Sequence, residues 1–96
     1  MQDYQAVTGT WNKESLIARV RRIGGQVEAL ENAIDADASC SAILHQVAGV
    51  RGALSGLMNQ LVEEQVREHV AKPGLSQQAR AAAAEDLIEA VLRYAK

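Results

Sequence analysis

The sequence predicts an all-α fold, in which three helices fold back on one another and then pair with further copies of the chain. Three observations carry this. Ala, Leu and Val dominate the apolar residues, aromatics make up 3% of the chain and proline occurs once, a balance that suits helices and starves a sheet of the residues it favours. Apolar residues recur in alternating steps of four and three, the period of a helix with one apolar seam. A chain of 96 residues makes a single domain with a modest core, so self-association is expected.

Residues 1–11 carry no sustained period and read as a flexible N-terminal arm; residues 12–96 read as one helical domain. Asn12 is a suitable N-cap, and Leu16, Val20, Ile23, Val27, Leu30 and Ile34 place a first helix over about 13–35. Gly24 and Gly25 lie inside it at about 1 kcal/mol each in propensity, which hints at a close backbone approach. Asp37 and Ser39 are cap candidates for a second helix over about 39–72, with Ile43, Val47, Val50, Leu54, Leu57 and Leu61 as its stripe. At 1.5 Å per residue this is a rod of roughly 50 Å, longer than the first helix can cover. Pro73 and Gly74 end it, Ser76 can cap a third helix over about 77–95, and Leu87, Ile88, Val91, Leu92 and Ala95 give that helix an apolar face.

Ala48, Gly52 and Gly56, with Gly49, Ala53 and Ser55 beside them, leave the middle of the second helix nearly bare. Two copies crossing antiparallel there would have a dyad near residues 54 and 55. Cys40 and His69 are 29 positions apart, about 43 Å along one helix, so a continuous helix cannot bring them together. Their midpoint is 54.5, however, so the same dyad sets Cys40 of one chain beside Gln65 and His69 of the other, twice by symmetry.

The formal net charge of −2 argues against a generally basic nucleic-acid binder. Its distribution argues otherwise. Between residues 13 and 26 stand Lys13, Arg19, Arg21 and Arg22 against Glu14, a local charge of +3 that can steer toward phosphates. Arg19, Arg22 and Gln26 share one helix face, and Arg51 is a charge set among small residues. No helix-turn-helix, zinc-finger spacing or glycine-rich phosphate loop is visible, so DNA would be contacted by helix faces. No run of 18 apolar residues and no secretion signal occurs, so no membrane partner and a cytoplasmic location are expected.

Cys40 falls at the first turn of the second helix, where the N-terminal dipole favours a thiolate suited to metal ligation or attack on an electrophile. On its stripe it reads equally as a buried, inert cysteine. His69 lies on the polar segment with Glu63, Glu64, Arg67 and Glu68, which reads as solvated. Gln65 faces the same way, its amide a hydrogen-bond partner by default and a poor ligand for soft metals. His45 reads as a helix-surface or packing residue rather than a ligand. No oxyanion-stabilising element accompanies Cys40 and His69, so an enzyme is not expected.

The segments RVRRIGGQVEAL (19–30) and CSAILHQVAGVRGALSGLM (40–58) closely resemble the CsoR/RcnR/FrmR family of bacterial repressors. The resemblance covers about residues 13–96. It implies a three-helix protomer, an antiparallel dimer built on the first two helices, and a dimer of dimers that coats operator DNA until an inducer releases it. Cys40, Gln65 and His69 match the sensing positions; Arg19, Arg22 and Arg51 match positions associated with DNA binding, with Arg21, Lys13 and Gln26 flanking them. The set Cys40, Gln65, His69 differs from the Cys, His, Cys of the copper sensors and lacks the second cysteine of the persulfide branch. The wording of the first two helices is nearest the nickel/cobalt and formaldehyde branches. The resemblance therefore implies a transition-metal ion such as nickel, cobalt or zinc, or else formaldehyde with no cofactor. The rival expectation is an inducer-blind helical scaffold with Cys40 in its core.

Overall fold

The computed structural model describes residues 12–94; the arm assigned to 1–11 and the apolar position Ala95 lie outside them. The described residues form three α-helices, α1 (Lys13–Asp35), α2 (Cys40–Gln65) and α3 (Gln77–Tyr94), and contain no strand. None of these helices is long and apolar enough to cross a membrane. The chain divides into two compact units, one spanning Lys13–Leu57 and one formed by Asn12 with the stretch from Met58 onward.

The Lys13–Leu57 unit is a helical hairpin closed by a four-residue turn. The N–H of Ala38 donates to the carbonyl of Ala33 at 2.9 Å, and that of Asp37 to Ile34 at 3.1 Å. Asp37 stands between them at φ 59°. This is a Schellman closure with aspartate where glycine is usual, so Asp37 ends α1 and does not cap α2. The capping role belongs to Ser39, whose Oγ accepts from the N–H of Ala42 at 3.1 Å, satisfying one of the free donors at the start of α2. The Arg19 guanidinium lies over Gly56. Both residues are 18.5 positions from the centre of the 36–39 turn, as expected of two helices folded back on each other.

Burial splits each apolar stripe into two edges. On α1, Leu16 and Ile23 are 7% and 8% exposed and Leu30 is half-buried, while Val20, Val27 and Ile34 are 48–55% exposed. On α2, Ile43, Val50 and Leu57 are half-buried, while Val47, Leu54 and Leu61 are 41–49% exposed. Every seventh residue is covered and its companion, three or four positions away, is open. Gly24 and Gly25 have empty space where a Cβ would stand, as do Gly49 and Gly52, so the close approach expected at these glycines is not made within one chain.

In the second unit α2 does not continue as an α-helix to residue 72. Residues Val66–Val70 form a π-helical turn, closed by the N–H of Ala71 on the carbonyl of Val66 at 2.7 Å. Pro73 has no N–H to offer the carbonyl of His69, and the chain leaves the helix through Gly74 at φ 89°. Ser76 then caps α3 as expected, its Oγ accepting from the N–H of Ala79 at 3.0 Å. Arg80 Nη2 reaches back to the carbonyl of Lys72 at 3.1 Å, tying the first turn of α3 to this break.

Candidate nucleic-acid interface and sensor residues

The basic residues singled out by sequence all belong to the hairpin. Lys13, Arg21, Arg22 and Gln26 on α1 and Arg51 on α2 are exposed, and Arg19 is half-buried with its guanidinium over Gly56. The charge order along α1 is informative. Lys13, Arg19, Arg21 and Arg22, with Glu14 among them, stand in its N-terminal half, and Glu28, Glu31 and Asp35 in its C-terminal half. A helix dipole favours the reverse arrangement, worth a few tenths to about 1 kcal/mol per charge in the terminal turns. Arg19, Arg21 and Arg22 lie beyond the first turn, where the dipole no longer decides the placement of charge.

Cys40 is the first residue of α2, directly after the Ser39 cap, and its thiol is exposed. The reading of Cys40 as a buried core residue, on which the inert scaffold depended, does not hold for the protomer. His45 is exposed. Gln65 and His69 fall in the unit that begins at Met58. The Gln65 side-chain amide donates from Nε2 to the carbonyl of Ala83 at 3.3 Å, which binds the end of α2 to α3, and the residue lines an apolar groove of about 350 Å³ with Met58, Leu61, Asp86, Val91 and Tyr94. His69 is half-buried within the π-helical turn, where the shifted hydrogen-bond register turns it from the position an unbroken α-helix would give. Among the described residues no group of three or more His, Cys, Asp or Glu side chains could hold a metal ion.

The polar segment around His69 is not uniformly solvated as expected. Glu63 and Arg67 are exposed and paired, Nη2 to Oε2 at 2.6 Å; the neighbouring carboxylate holds the Arg67 guanidinium above its ordinary pKa. Glu64 and Glu68 are instead 7% and 4% exposed. Glu64 Oε2 accepts from the backbone N–H of Asn12 at 3.5 Å, while its Oε1 is buried without a partner. Glu68 Oε1 meets Lys72 Nζ at 3.5 Å. Sequence reading by residue type missed this pair. Register would have found the first of them, since Ile43, Val50 and Leu57 lead by sevens to Glu64.

A hairpin with a basic flank, an exposed cysteine at a capped helix start and a histidine held in a π-helical turn is the setting in which comparison with known proteins becomes decisive. Residues 12–93 match the metal-sensitive transcriptional repressors. The chain belongs to this family and is a transcriptional repressor rather than an enzyme. It is 47% identical over 85 residues to a protein encoded in the bioA 5′ region of Serratia marcescens, covering 88% of this chain and 93% of that one. It is 40% identical over 63 residues to a homologue of the transcriptional repressor RcnR from Escherichia coli, covering 66% and 70%. A variant of the formaldehyde-responsive regulator FrmR from Salmonella enterica serovar Typhimurium superposes with a TM-score of 0.81 at 40% identity, over 86% of this chain and 93% of that one.

Proposed function

We propose that the chain works in the cytoplasm as an antiparallel dimer of hairpins, paired again into a tetramer, which holds operator DNA through the basic flank of α1 and releases it when an inducer reaches Cys40. The observation that carries the sensing half is the exposed Cys40 on the first turn of α2, where its sulfur is accessible as a ligand or nucleophile. The open edges of α1 and α2 support the assembly. Val20, Val27 and Ile34 on α1 and Val47, Leu54 and Leu61 on α2 keep the same seven-residue spacing, which is what a second, identical hairpin would cover to complete a four-helix bundle.

In this reading Arg19, Arg22 and Arg51, flanked by Lys13, Arg21 and Gln26, contact phosphates, and the partner's end of α2 brings His69 toward Cys40. One thiolate and one imidazole suit nickel, cobalt or zinc better than calcium or magnesium; the same thiolate also suits an electrophile such as formaldehyde. Gln65, whose amide is engaged by Ala83, stands beside the inducer and links it to α3.

The test is an operator-binding titration by fluorescence anisotropy, using DNA upstream of the native gene, repeated with nickel, cobalt, zinc, copper(I) and formaldehyde. One of these is expected to weaken binding about ten-fold or more, a coupling of about 1.4 kcal/mol, and its identity names the inducer class. Replacing Cys40 by alanine should leave DNA affinity unchanged and abolish the response. An apo protein that ignores the DNA, or a Cys40→Ala variant that still responds, overturns the reading.

A further inference from the structure

The second helix of the hairpin carries three glycines, each less favourable than alanine in a helix interior. Within the chain they are not equivalent. A Cβ built on Gly49 or Gly52 meets nothing within 4 Å, whereas one built on Gly56 would lie 2.7 Å from Arg19 Nη1 and 3.9 Å from its Cζ. The guanidinium occupies the space that a side chain at position 56 would fill. Arg19 and Gly56 lie at equal distances in sequence from the turn at 36–39, so an antiparallel hairpin brings the two positions to the same level.

We propose that Gly56 is a positioning residue for DNA binding: its missing side chain seats the Arg19 guanidinium across α2 and presents it already oriented to the operator backbone. This rests on the reading of Arg19 as a phosphate contact. An arginine side chain loses rotamer entropy when it is fixed, and a seat that orders it before DNA arrives lowers that cost of binding. The group a methyl at 56 would strike is the far end of a flexible side chain, so the helix need not move. Alanine at 56 evicts the guanidinium and at the same time improves the helix. Stability and DNA affinity should therefore move in opposite directions, which a purely structural glycine would not produce.

The experiment is a double-mutant cycle on the full chain with Gly56→Ala, Arg19→Ala and the pair together. Operator affinity is read across a salt series, unfolding by urea, and assembly mass by light scattering. Arg19→Ala should weaken binding about ten-fold and reduce the salt slope by about one. Gly56→Ala should weaken it about five-fold, with an unfolding midpoint at or above that of the unaltered chain and the same assembly mass, and should add nothing once Arg19 is gone. The proposal is overturned if Gly56→Ala binds DNA as the unaltered chain does, if its effect persists in the Arg19→Ala background, or if it changes the assembly mass, because the effect would then run through contacts between chains. An Arg19→Ala protein with full affinity removes the phosphate-contact reading itself, and the Gly56 proposal with it.

Discussion

Leu16, Ile23 and Leu30 are covered in the hairpin while Val20, Val27 and Ile34 are not, although all six sit on one apolar stripe of α1. The same division runs down α2, with Ile43, Val50 and Leu57 turned inward and Val47, Leu54 and Leu61 left open. The covered edge joins α1 to α2 within one chain. The open edge has no such partner there, yet it keeps its seven-residue spacing from Val20 to Ile34 on α1 and from Val47 to Leu61 on α2. In the proposed assembly the covered edge makes the protomer fold and the open edge joins it to a second copy.

The largest effect should come from breaking the open edge. Leu54→Glu would place a carboxylate at the expected crossing point of two copies, with a penalty of about 3 kcal/mol or more for an uncompensated buried charge. Light scattering should show the mass fall to that of a single chain, and operator affinity should fall about 100-fold with it. A variant that stays assembled would remove the open edge from the interface.

The covered edge should respond differently. Ile23→Ala takes bulk from a buried position and should cost about 2–4 kcal/mol of unfolding free energy, measured by urea denaturation at a concentration where assembly is constant. A loss below about 1 kcal/mol would mean that Ile23 is not part of the core. The smallest effect sharpens the comparison from the turn. Asp37 holds φ 59°, a conformation that glycine adopts without strain. Asp37→Gly should stabilise the hairpin by about 0.5–1 kcal/mol in the same denaturation series, with assembly mass unchanged; a destabilised variant would show that the aspartate side chain contributes more to the turn than its backbone conformation costs.

Much of this organisation was legible in the residues. The four-three steps gave α1 its limits, and Ser39 and Ser76 marked two helix starts that their hydroxyls cap. The end of α2 was not legible, because a π-helical turn leaves no mark in apolar period and arises where Pro73 withholds a hydrogen bond. Glu64 and Glu68 read as solvated because they are charged, and only position in the register reveals that Glu64 continues the covered edge. At the candidate site, Cys40 at a helix start followed directly from the cap before it. The seat of Arg19 did not, since Gly56 reads as one more small residue until the turn is placed and opposite positions can be paired across it.

The open edge also bears on how many copies of the protein a cell must hold. If the species that grips DNA is assembled from hairpins through these side chains, mass action ties its abundance to a power of protomer concentration, and its thermal stability to that concentration as well. Occupancy of the operator would then rise steeply across a narrow range of expression and collapse below it. Dilution alone, as when a growing cell divides faster than it makes the protein, would lift repression without any inducer.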